Sequence, residues 1–139
     1  MSLNIECVAV KIDRLRKLIH IFSEKEINFS AICLQETWHT KDNDMLQYLL
    51  ANYHEHIQQE RICGRKGGLI TNIHKSFSNP TKVDNIYKST DWEALIVDVQ
   101  DDRFARKITI VNYYRPPRDS YSNASIDKFL TPLEVRLKS

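Results

Sequence analysis

A chain of 139 residues, 42% hydrophobic and 27% charged, has the length and composition of one soluble globular domain, taken here as 1–139. Its net charge of +2 is too small to argue nucleic-acid binding by itself. Cys7, Cys33 and Cys63 show neither CxxC nor Cys/His metal spacing, and an odd count of scattered thiols fits a reducing compartment better than a disulfide scaffold. The opening Met1-Ser2-Leu3-Asn4-Ile5-Glu6 is no signal peptide and no apolar run approaches membrane length. An intracellular chain, nuclear or cytoplasmic, with no membrane partner is therefore expected.

The elements alternate. A short strand is predicted around Leu3 to Val8, then a helix from Val10 to Ser23. Ile12, Leu15, Ile19 and Phe22 fall on one face of that helix, with Lys11, Arg14, Arg16 and Lys17 on much of the rest. Those bases read as a solvated surface sooner than as a phosphate-binding face. A second strand runs from Phe29 to Gln35. A second helix is expected over Asp42 to Ala51, with Asp42 and Asp44 near its N-terminus and Met45, Leu46 and Leu49 facing inward. Ile57 to Ile62 looks extended. Further strands are read at Leu69 to Ile73, Val83 to Tyr87, Trp92 to Val99 and Lys107 to Tyr114, the last two joined by a loop over Gln100 to Arg106. A final helix begins near Ser125 and is broken or kinked at Pro132.

The most informative stretch is Ala31-Ile32-Cys33-Leu34-Gln35-Glu36-Thr37-Trp38. An apolar run of this kind reads as a buried strand. Its end in a carboxylate puts Glu36 at the mouth of the strand, where open α/β sheets place their ligand sites. Glu36 is therefore a candidate for holding a hard cation through oxygen; the ordinary alternative is a solvated strand-end Glu. Arg61 to Gly68 holds all three glycines of the chain beside Arg65 and Lys66. A basic glycine loop lets backbone approach a phosphate, although the spacing fits neither a Walker nor a dinucleotide motif. The plainer reading is a turn that feeds the next strand. Arg115 has the planar fork for a bidentate phosphate contact, or is simply a surface base.

Leu34-Gln35-Glu36-Thr37-Trp38 resembles the second signature of the endonuclease/exonuclease/phosphatase superfamily, and most nearly its apurinic-type endonucleases of jockey-like, non-long-terminal-repeat retrotransposons. Three more blocks agree in order. Leu3-Asn4-Ile5 followed by Lys11-Ile12-Asp13-Arg14-Leu15 resembles the opening strand and first helix. Gly67-Gly68-Leu69-Ile70 resembles the glycine-led central strand. Asn112-Tyr113-Tyr114-Arg115-Pro116-Pro117 is similar to the tyrosine-arginine-proline-proline segment. The resemblance implies a two-sheet α/β sandwich and a magnesium-dependent endonuclease acting on DNA with no organic cofactor. It implies that Asn4 and Glu36 hold the metal and that Tyr114 donates to a phosphate oxygen; Arg115, Arg65 and Lys66 are, on their own chemistry, the candidates for contact with nucleic acid.

The same family pattern implies a histidine base and an aspartate-asparagine pair from glycine-aspartate-phenylalanine-asparagine and serine-aspartate-histidine blocks. Neither block occurs here. His20, His39, His54, His56 and His74 all precede the tyrosine-proline segment, and only His39 is near Glu36 in sequence; the base role is not carried onto it. The expectation is thus a partial sandwich lacking its C-terminal half, a fragment of such an endonuclease that is inactive alone. Two alternatives stay open: a phosphatase or phosphodiesterase of the same superfamily, and a non-catalytic relic that binds nucleic acid or a protein. Oligomeric state is not legible.

Overall fold

The computed structural model describes residues 1–60, 67–83 and 92–115. Their order is β1 (Ser2–Asn4), α1 (Val8–Glu24), β2 (Ala31–Gln35), a 3-10 helix (Met45–Tyr48), β3 (Ile57–Gln59), β4 (Leu69–Ile73), β5 (Ser78–Lys82), β6 (Glu93–Asp101) and β7 (Arg106–Tyr114). The strands form two sheets. The first has the order β1-β2-β4-β3, with β1 parallel to β2 and the remaining pairs antiparallel. The second is antiparallel, β5-β6-β7.

Side-chain alternation along the strands explains the layering. Ile32 and Leu34 of β2 and Ile70 of β4 point to one face of the first sheet, where α1 delivers Val8, Ile12 and Leu15. This is the helix face expected from the apolar spacing, extended two residues toward the N-terminus. Leu69 and Ile73 point the other way and meet Leu95, Val97 and Val99 of β6, with Ile108 and Ile110 of β7 packed against them. The intervening residues of β6, Ala94 and Ile96, are buried on the outer face with Trp92. β6 is thus covered on both sides, consistent with its nearly continuous apolar run.

One polar cluster interrupts the apolar seam between the sheets. Asn112 of β7 stands where alternation demands an inward side chain, and it is 1% exposed. Its amide nitrogen lies 3.1 to 3.2 Å from the Leu34 and Ile70 carbonyls and the Thr71 hydroxyl of the first sheet. Its oxygen accepts from Gln35 Nε2 at 2.7 Å, and the same Gln35 nitrogen donates to the Ser2 hydroxyl at 2.9 Å. One side chain therefore ties β7 to β2 and β4 and fixes the height at which the sheets meet.

Several expected elements differ. The first strand ends at Asn4, because Glu6 and Cys7 take positive φ angles of 45° and 76° and turn the chain into α1. The second helix is not formed over Asp42 to Ala51; a 3-10 helix at Met45–Tyr48 stands in its place. Local side-chain bonds compete with helix there. Asn43 accepts from Thr40 N–H, Asp44 accepts from Leu46 N–H, and Arg16 donates to the Gln47 and Leu49 carbonyls. Leu46 and Leu49 face solvent, and Tyr48 and Leu50 are the buried residues instead.

β5 was not foreseen, because Pro80 lies in its middle. It is tolerated on an edge strand with a register shift between Ser78 and Thr81. In the described part of Val83 to Tyr87, Val83 N–H donates to the Ile96 carbonyl; residues 84–87 lie outside the described residues. The final helix lies outside them as well. No described helix is long and apolar enough to cross a membrane.

Replacing Asn112 by Ala removes the amide cluster of the seam and leaves Gln35 Nε2 to the Ser2 hydroxyl and the Cys33 carbonyl. Asn112→Ala is expected to cost about 1 to 3 kcal/mol of unfolding free energy in urea titrations. A loss below about 0.5 kcal/mol would show that the seam is held by apolar packing alone.

Candidate functional site at the ends of the parallel strands

β1 and β2 run parallel, so Asn4 and Glu36 both stand at C-terminal strand ends, with Asn4 opposite Gln35 in register. Asn4 is exposed, whereas Glu36 is 6% exposed. Beyond β2 the backbone takes an unusual path. Glu36 has φ 52° and Trp38 φ 58°. Left-handed conformations at residues with a Cβ cost roughly 1–2 kcal/mol each. They persist when neighbouring bonds over-determine them, and such strain concentrates at working sites.

Those neighbours can be named. On one side Cys7 N–H donates to the Glu36 carbonyl at 2.9 Å, and Val8 N–H, the first amide of α1, donates to the Thr37 carbonyl at 3.0 Å. On the other, the Gly68 carbonyl accepts from Thr37 N–H at 3.2 Å and the Gly67 carbonyl from Trp38 N–H at 2.9 Å. Gly67 and Gly68 have φ of 100° and 89°, which only glycine adopts readily. There is also no room for side chains. A Cβ on Gly68 would lie 2.5 Å from the Thr37 hydroxyl, and one on Gly67 would lie 2.8 Å from a Glu93 carboxylate oxygen. The glycines are thus required by the corner itself, which is more than a turn feeding β4.

The structure brings Tyr114 to Glu36. Tyr114 closes β7, directly opposite Glu93, and its hydroxyl donates to Glu36 Oε1. Arg115 follows directly, half-buried. Arg65 and Lys66 lie outside the described residues, so the structure does not bear on them. His39 is buried beneath the corner, with its Nδ1 2.5 Å from the Thr37 hydroxyl. This makes it part of the packing under Gly68.

Sequence reasoning missed Glu93 and Asn112. Glu93 is 7% exposed and its Oε2 accepts from Gly68 N–H at 2.8 Å. A carboxylate heading the apolar run of β6 was the available signal. For Asn112 it was a polar residue at an inward position of β7.

Whether magnesium suits this corner turns on donor chemistry. The ion wants a few oxygen ligands and keeps several waters. The Glu36 carboxylate and the Asn4 amide offer oxygens of that kind, and Tyr114 occupies one of the Glu36 oxygens. Among the described residues no group of three or more His, Cys, Asp or Glu could hold a metal. By donor chemistry alone, one carboxylate and one amide would suit an ion that keeps most of its waters. A cavity of about 370 Å³ lies elsewhere, lined in part by Arg16, Ile19, Phe29, Leu50, Tyr53 and His74, and includes none of the candidate residues.

Neither a protein-family model nor a curated protein matches the chain. Solved structures do. The human Nocturnin catalytic domain with bound sulfate anion is similar at 15% identity and a TM-score of 0.64, over 98% of this chain and 57% of that one. The AP endonuclease LMAP from Leishmania major is similar at 14% identity and a TM-score of 0.60, over 99% of this chain and 44% of that one. The fold is an α/β sandwich of the endonuclease/exonuclease/phosphatase type. The chain spans about half the length of these structures.

Removing the Tyr114 hydroxyl leaves the buried Glu36 carboxylate without that donor. Tyr114→Phe is expected to lower stability by about 1 to 3 kcal/mol. Glu36→Gln keeps an acceptor oxygen and is expected to lose less. Chemical denaturation of the two variants side by side checks the order, and the reverse order would contradict this account of the contact.

Proposed function

We propose that this corner is the first portion of a magnesium-dependent phosphodiesterase site acting on DNA, of the kind with which jockey-like retrotransposon endonucleases nick their target. The observation that carries the reading is the Tyr114 hydroxyl donating to buried Glu36 beyond the end of β2, inside a strained loop held by backbone bonds on both sides. The order of the four sequence blocks supports it, as does a fold shared with an AP endonuclease.

Glu36 and Asn4 would hold the ion, with water completing its shell. The ion would supply charge stabilisation for a transferring phosphoryl group. Tyr114 orients the Glu36 carboxylate with its one hydroxyl proton and would have to turn that proton to a phosphate oxygen when substrate binds. Arg115 extends the site along the backbone of the substrate as a bidentate partner for a neighbouring phosphate. Arg65 and Lys66 directly precede Gly67 in sequence and would add positive charge toward nucleic acid. Burial of Glu36 excludes competing water from one side of the carboxylate, and the glycine pair prevents the loop from swinging away.

The described residues supply one carboxylate and one amide for the metal and no histidine positioned as a general base, a role that typically contributes about 10²–10⁴-fold. The purified chain is therefore expected to bind magnesium weakly and to leave supercoiled or abasic plasmid intact. Glu36→Ala should abolish the magnesium binding seen by titration calorimetry. Any DNA binding should weaken with salt and be indifferent to that substitution. Magnesium binding unchanged in Glu36→Ala would remove Glu36 from the site. Nicking by wild type that Glu36→Ala abolishes would show a complete active site where a partial one is proposed.

A further inference from the structure

We infer that Glu93 is a positioning residue for Glu36, acting through Gly68 and Thr37 without itself holding the metal. The inference rests on the function proposed above only for its metal-binding consequence. The route is a chain of short bonds. Glu93 Oε2 accepts from Gly68 N–H at 2.8 Å. The Gly68 and Gly67 carbonyls accept from Thr37 and Trp38 N–H at 3.2 and 2.9 Å. Thr37 adjoins Glu36, whose left-handed φ of 52° is maintained only while its neighbours are held.

The contact is specific in shape. Glu93 is the first residue of β6 and pairs with Tyr114 of β7, so its backbone is set by the same hairpin that carries the hydroxyl reaching Glu36. The two carboxylates are therefore located by one structural unit, Glu36 through the tyrosine and the glycine loop through Glu93. The absence of a Cβ at Gly67 is what admits the Glu93 carboxylate, since its oxygens lie 2.8 and 3.1 Å from where that atom would be. Groups that orient a metal's ligands without touching the metal typically contribute about 10–100-fold to its affinity.

Reach and charge separate this role from a general electrostatic one. Glu93→Gln keeps an acceptor oxygen at the same distance and loses the charge. Glu93→Asp keeps the charge and withdraws the oxygen by one methylene. If Glu93 positions the loop, Asp should speed amide hydrogen exchange at Thr37, Trp38 and Gly68 by about tenfold or more, whereas Gln should stay close to wild type. Magnesium affinity should fall about 10–100-fold in Asp and little in Gln. Both readouts are made on the whole chain, by residue-resolved exchange and by magnesium titration. Exchange that follows this pattern while magnesium binds none of the proteins, or binds independently of Glu36, would keep the positioning role and reject the proposed function. Exchange unchanged in Asp, or accelerated equally in Gln, would overturn the positioning role itself.

Discussion

The amide of Asn112 is the constraint on which the rest of the described structure turns. A seam made only of Leu, Val and Ile would allow the sheets to slide, because apolar contact has no direction. A buried amide between two carbonyls, a hydroxyl and the Gln35 side chain has one satisfied position. A one-residue slip of β7 would turn Asn112 to the outer face, among Trp92, Ala94 and Ile96, and would bring Tyr113 and Val111 into the seam. The polar cluster gives up some apolar burial for a single register. Tyr114, two residues on, inherits that register, and the hydroxyl meets Glu36 as a consequence.

Around Glu36 the backbone is arranged in the opposite spirit, by strain that is held in place. Glu6, Cys7, Glu36, Trp38, Gly67 and Gly68 all have positive φ and belong to three segments bonded to one another. No single segment would hold such a path alone. The first amide of α1, which an isolated helix would leave to solvent, is one of the donors that stabilise it. The corner is thus built from a helix start, two strand ends and a glycine pair. These are parts that ordinary secondary structure leaves unsatisfied.

Much of this was readable from the residues. The helix face of Ile12 and Leu15, the core of β2, the glycine-led β4 and the β6–β7 pair follow from periodicity and β-branching. Glu36 was legible because a carboxylate interrupts an apolar run. What escaped did so for physical reasons. The stretch near Met45 has helical apolar spacing, but Asn43 and Asp44 bond their own backbone. β5 contains a proline that only an edge strand accepts. Glu93 and Asn112 look like ordinary polar residues in one dimension, and their partners lie far along the chain. Asn4 and Tyr114 owed their candidacy to a resemblance, since a strand-end amide and an aromatic at the core edge are common without any chemistry attached.

That distance along the chain has a consequence in time. Gln35 and Asn112 are 77 positions apart, and Glu36 and Tyr114 are 78. The β6–β7 hairpin turns over in four residues, from Asp101 to Arg106, so it closes at small entropic cost. Joining β7 to β2 brings together residues far apart in the chain, and folds rich in such non-local contacts form slowly. The Tyr114–Glu36 and Gly68–Glu93 contacts therefore exist only once the two sheets have docked. A chain in which each sheet is formed but undocked would keep the backbone bonds of the corner and lack the two side-chain contacts that hold Glu36 and Gly68.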